Sequence, residues 1–101
     1  MSATLGVEFE RFKGSKFSLG RLVATPGALA ALTHEEILVA VGRHAAGAWG
    51  ELDEADRAAN ERSLAEGARL VSVYRSAASV RFYVITEWDR SVTTVLLPEE
   101  Y

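Results

Sequence analysis

Cysteine is absent from this 101-residue chain, which excludes disulfides, thiolate metal sites, thiol nucleophiles and thiol redox switches. Long apolar runs are missing too. No stretch approaches the ~20 residues of a membrane helix, and the opening MSATLGVEFERFKGSKF lacks the apolar core of a signal peptide. Together these absences predict a cytoplasmic protein with no membrane partner. Nor is there a strong charge of either sign: 11 Lys and Arg against 14 Asp and Glu leave a net −3, a balance that argues against general nucleic-acid binding. The chain has no Gly-x-Gly-x-x-Gly or Walker-type phosphate loop, and none of its serines lies in a Gly-x-Ser-x-Gly turn. No cofactor is therefore expected, and no catalytic residue is assigned. His34 and His44 stand ten positions apart on one predicted helix, roughly 15 Å along its axis, too far to share a metal ion. Each is expected to be structural or at the surface, with His44 near enough to the helix C-terminus to favour its dipole.

What is present describes one soluble domain. The composition, 49% hydrophobic and 25% charged, is that of a globular protein. Residues 1–16 alternate in polarity up to Lys13-Gly14-Ser15-Lys16 and read as an N-terminal arm or edge strand. Residues 17–101 read as a single α+β domain. Within it, Phe17–Thr25 forms a strand, Thr25-Pro26 opens a short helix over GALAAL, and Thr33-His34-Glu35-Glu36 is a capping box that starts a second helix. Ile37, Leu38, Val41 and Ala45 give that helix a buried stripe. Asp53 caps a third helix running to about Glu66, with Gly67 as its stop and a narrow buried face of Ala58, Leu64, Ala65 and Ala68. Beyond Gly67 the period becomes two, and three strands follow, joined at Ser76–Ser79 and at Trp88-Asp89-Arg90. The predicted architecture is an N-terminal strand, two to three helices, then a three-strand antiparallel meander packed against the helices.

The last connection concentrates polar chemistry: Glu87, Trp88, Asp89, Arg90, Ser91, Thr93 and Thr94 fall within eight positions. Two carboxylates, a guanidinium and hydroxyls can position a polar substrate or partner. Turn chemistry explains much of the same pattern, because Asp89 can bond nearby N–H groups and Arg90 can pair across the hairpin. Trp88 favours recognition, since exposed tryptophans are preferred interface anchors. The partner-binding set is accordingly Trp88, Asp89, Arg90 and Glu87, supported from behind by Phe82, Val84, Val92 and Leu96. Trp49 joins it as the second tryptophan in a turn, and it also suits plugging the end of the core. No metal-ligand set emerges.

TPGALAAL at 25–32, HAAGAWGELDEADRAANERSLAEGARLVSVY at 44–74 and ITEWDRSVTTVLLPEEY at 85–101 resemble a small bacterial family met on plasmids, phages and integrated elements. Some of its members are labelled plasmid-related proteins or type I restriction subunit M. Ala48 stands where the resemblance has an aspartate beside the Trp-Gly pair. The chain has neither the length for a methyltransferase domain nor its motifs, so the restriction label does not carry over. The resemblance implies a mobile-element accessory protein that binds a host or defence protein, with inhibition as one mode, and it supplies no catalytic residues. The alternative, from element order, is similarity to RelE/ParE-like toxins acting on RNA or another host target, although the arginines here are spread among carboxylates. A small structural or interaction domain is the plainest reading. An exposed sheet edge would also permit a homodimer.

Overall fold

Thr25, Thr33 and Asp53 each precede a helix, and each accepts a hydrogen bond from a first-turn N–H that would otherwise go unpaired. The bonds come from Ala28 N at the start of α1 (Pro26–Ala31), Glu36 N in α2 (His34–Ala45) and Asp56 N in α3 (Glu54–Glu66). Glu36 completes the predicted capping box by accepting from Thr33 N at 2.9 Å, and its carboxylate also takes Ala77 N at 2.8 Å. These backbone donors, Thr33 first, hold its pKa below the ordinary value. Gly67 ends α3 with a left-handed φ of 75°. The structure, a computed structural model, describes residues 3, 4, 12 and 14–101.

The strands are β1 (Ala3–Thr4), β2 (Arg21–Ala24), β3 (Leu70–Arg75), β4 (Arg81–Thr86) and β5 (Val92–Leu96), in the sheet order β1-β2-β5-β4-β3. The α+β class is as expected, with three α-helices among the described residues. The sheet is larger than a three-strand meander and mixed. β3, β4 and β5 pair antiparallel in turn, while β2 lies parallel to β5 and β1 antiparallel to β2. Parallel neighbours need a long crossover, which the helices and the β3–β4 hairpin supply here. The first domain strand is also shorter than expected. Gly20 takes φ 63°, and a Cβ there would collide with the carbonyls of Arg90 and Ser91; pairing therefore begins only at Arg21. Of the expected arm or edge strand, Ala3 and Thr4 pair with Ala24 and Val23, while the alternation over residues 7–11 lies outside the described residues.

The strand register puts Leu22, Ala24, Leu70, Ser72, Tyr74, Phe82, Val84, Thr86, Thr93 and Val95 on one face. Ala28 and Leu32 from the α1 segment, and Ile37, Ala40, Val41 and Ala45 from α2, close over it as the core. Burial of this apolar surface drives the packing of helices on sheet. Phe82 and Val84 face this core, whereas Val92 and Leu96 fall with Tyr83 on the opposite face. The four residues expected to back the final turn are thus divided between both sides of the sheet.

Helix α3 corrects a second expectation. Ala58, Ala65 and Ala68 are exposed, Leu64 is half-buried, and the buried residue of this helix is Asn60. Its amide donates to Val71 O at 2.6 Å and accepts from Val71 N at 3.1 Å, taking the place of a neighbouring strand along β3. Arg57 turns back to the Leu52 and Gly50 carbonyls, and Glu61 accepts from Trp49. Farther along β3, Val73 N donates to Trp49 O and Val73 O accepts from Glu51 N, a short parallel bridge at Gly50.

Candidate interaction surface

A Ser–His contact is the first arrangement with catalytic form, and its surroundings close it off. His44, on α2, places Nδ1 2.6 Å from Ser72 Oγ on β3 and Nε2 2.9 Å from Thr86 Oγ1 on β4. Thr86 Oγ1 lies 2.6 Å from Thr93 Oγ1 on β5, and Thr93 donates to Leu19 O at 2.7 Å. Each hydroxyl has one proton, so the directions follow in sequence. Thr93 spends its proton on Leu19, Thr86 must donate to Thr93, His44 Nε2–H donates to Thr86, and Ser72 donates to the bare Nδ1. The neutral Nε2–H tautomer satisfies every link. Desolvation, with a smaller repulsion from Arg90, pushes the His44 pKa down to about 3. Since His44, Ser72, Thr86 and Thr93 are all fully buried, no substrate reaches them. The network is a strut between the helix layer and the sheet. Of the two roles expected of His44, structural or surface, this is the structural one, and the neutral ring does not serve the helix dipole.

Aromatic packing seals that strut. Phe17 meets the imidazole edge-on at 5.3 Å between centroids and stacks near Trp49 at 6.3 Å. Trp49 is 2% exposed, and its indole N–H donates to Glu61 at 2.8 Å. That corrects its placement among the partner-binding residues: its surface is spent on Phe17 and His44.

The turn after β4 separates the remaining candidates. Glu87 N donates to Val92 O, Arg90 N donates to Glu87 O, and Ser91 N donates to Asp89 Oδ1 at 3.0 Å. The Asp89 bond is the one expected of turn chemistry, whereas Arg90 does not pair across the hairpin. Arg90 takes φ 61° and folds its guanidinium back under the turn, donating to Ala68 O at 2.6 Å, Ser63 O at 3.1 Å and Glu87 O at 3.1 Å. Ser63 and Ala68 bracket the end of α3, where the negative end of the helix dipole favours a cation; Ser63 O also accepts from Gly67 N and Ala68 N. Arg90 is therefore a clamp under the tip. Glu87 is half-buried beside Arg69, 3.7 Å away. What the clamped turn presents outward is Trp88, 67% exposed, followed by exposed Asp89. The Asp89 pKa is lowered by Ser91 hydrogen bonds, so its charge is held at neutral pH.

At the other end of β4, two adjoining hollows of about 280 and 360 Å³ meet along Arg43, Tyr74 and Arg75. Exposed Val39, the edges of buried Ala40 and Phe82, and the Glu35 and Glu36 side chains line the first hollow. Neither the sealed hydrogen-bond chain nor these hollows was legible from local sequence. The available signal for the chain was that Ser72, Thr86 and Thr93 interrupt otherwise apolar strands, and only the register brings them together. Among the described residues no group of three or more His, Cys, Asp or Glu is placed to hold a metal ion, and no helix is long and apolar enough to cross a membrane. No family model, curated protein or solved structure matches the chain.

Proposed function

We propose that this chain is a non-enzymatic accessory protein that binds another protein through the Trp88–Asp89 tip. The observation that carries this reading is a large aromatic held 67% exposed on a turn that Arg90 fixes from beneath. Exposing tryptophan without a packing role is uncommon, and a braced tryptophan loses little freedom on binding. The buried Ser–His contact, lacking access, gives the alternative of catalysis no support.

The partner we propose is a host or defence protein, with inhibition as the mode of action, in the mobile-element setting implied by the resemblance of residues 25–32, 44–74 and 85–101. Affinity capture with the full chain, in cells with and without defence systems, tests this reading. A specific protein retained by wild type and lost with Trp88→Ala supports it. Equal retention by both forms rejects the tip as the binding element.

A further inference from the structure

Thr93 ends the buried hydrogen-bond chain, and it ends it beside the exposed turn. Its hydroxyl donates to Leu19 O at 2.7 Å, and the next residue, Gly20, lies against the backbone of the turn itself. A Cβ on Gly20 would fall 2.4 Å from both Arg90 O and Ser91 O, well inside the ~3.5–4.0 Å of a good van der Waals contact. Gly20 takes φ 63° and Arg90 φ 61°, so two left-handed residues meet with no side chain between them. Arg21 N then donates to Ser91 O at 3.0 Å. The turn that carries Trp88 is thus held from two directions, by α3 through the Arg90 guanidinium and by the Leu19–Gly20 backbone. The other hairpin supplies a comparison within the same molecule. Its turn also has a left-handed residue, Ser79 at φ 64°, but it is braced by Ser76 Oγ and Glu36, which accept from Ala78 N, Val80 N and Ala77 N.

We propose that Thr93 and Gly20 are positioning residues of the Trp88–Asp89 tip: Thr93 pins the Leu19 carbonyl, and Gly20 then seats against the Arg90 and Ser91 carbonyls. Thr93 is fully buried, so it acts on the tip only through this contact. The inference rests on Trp88 being an anchor and adds how that anchor is held before a partner arrives. A tip ordered by the fold has less freedom to lose on binding. The seat also needs glycine for two separate reasons, the positive φ and the absence of a Cβ at the point of contact.

Amide hydrogen exchange of the full chain, read residue by residue by NMR, tests the proposal in Thr93→Val, Thr93→Ser and Gly20→Ala. Thr93→Val keeps the branched shape and loses the hydroxyl. In it, the amides of Arg21 and Arg90 should exchange about tenfold faster relative to those of Ser76 and Ser79 in the other turn, the factor for one lost buried hydrogen bond. The backbone order parameter of Trp88 should fall from the rigid range of about 0.85 to below about 0.6. Thr93→Ser restores the hydroxyl and should return both readings to those of wild type. Gly20→Ala leaves the hydrogen-bond chain whole and should raise the same exchange ratio. A Thr93 that serves stability alone would speed both turns together and leave the ratio unchanged. That result, a Thr93→Ser chain as loose at the tip as Thr93→Val, or a Gly20→Ala chain with the wild-type ratio would each overturn the proposal. So would a Thr93→Val chain that loses its whole fold, since the effect is confined to the tip. The exchange measurement uses no partner, so failure of this mounting and failure of the tip as a binding element are told apart.

Discussion

His44 Nδ1 lies 2.6 Å from Ser72 Oγ, and neither side chain presents surface to solvent. A base and a hydroxyl at this distance have the form of a nucleophile pair, but here the serine donates a hydrogen bond to a ring that no substrate can reach. The pair ties α2 to β3 and helps to hold the imidazole in one tautomer.

That burial sets a pH dependence. In the unfolded chain His44 titrates near 6.5, whereas in the fold its pKa is about 3. Between these values the unfolded chain binds the extra proton, so stability is complete above about pH 6.5 and falls as the pH drops toward 3. The expected slope is about 1.4 kcal/mol per pH unit. Carboxylates with lowered pKa values, Glu36, Asp89 and Glu100, begin to contribute only near their ordinary values of 4.5, 3.8 and 4.5. Urea unfolding between pH 6.5 and 5 therefore isolates the histidine. In His44→Gln the slope in this window should vanish.

Trp88→Ala should leave the unfolding free energy within about 0.5 kcal/mol of wild type, as for a surface substitution away from packing. A packing lid would instead cost about 3–5 kcal/mol. Thermal and urea unfolding of the variant distinguish the two values directly.

Arg90 gives a paired prediction, because its side chain stabilises and its backbone is strained. Arg90→Ala removes the donors from Ser63 O and Ala68 O and keeps a non-glycine residue at φ 61°. It should cost about 1.5–3 kcal/mol, the range for hydrogen bonds from a charged group. Arg90→Gly loses the same bonds but relieves the left-handed strain, so it should be more stable than Arg90→Ala by about 1 kcal/mol. Equal losses in the two variants would show that the strain is not felt.

Asn60→Ala strips both backbone partners from Val71. Leaving that N–H and C=O unpaired should cost about 1–3 kcal/mol, seen as a fall in Tm of roughly 4–8 °C per kcal/mol for a domain of this size. Asn60→Asp can still accept from Val71 N but faces Val71 O without a donor. At neutral pH it should therefore be destabilised as well, and acidification through the carboxyl titration should recover part of the loss.

The helices were legible because their ends are local chemistry. Thr25, Thr33, Asp53 and Gly67 act within three or four residues of themselves, and the structure uses all four as the sequence implies. The placement of β2 beside β5 was not legible, since pairing between Leu22 and Thr93 depends on contacts far apart in the chain. The same distance hid the role of His44, whose partners become neighbours only through the register of β3, β4 and β5. At the candidate site, the turn bonds of Asp89 and the exposure of Trp88 could be anticipated from residue type. The reach of Arg90 to α3 could not, because no local rule says where that helix docks. Trp49 was ambiguous for a related reason: a tryptophan between two glycines reads equally as plug or anchor until the Phe17 and His44 rings are placed around it.

The hydrogen bonds along the outer side of β3 restrict how another molecule can be recognised. Asn60 occupies both polar groups of Val71, and Trp49 and Glu51 occupy those of Val73. An extended peptide that joins a sheet by β-augmentation needs such groups free. At β3 they are already taken, so a ligand strand would first have to displace α3 and the Gly50 segment. Recognition at this edge must then be written in side chains rather than in main-chain pairing. The same obstruction protects the protein from templating edge-to-edge aggregation through this strand.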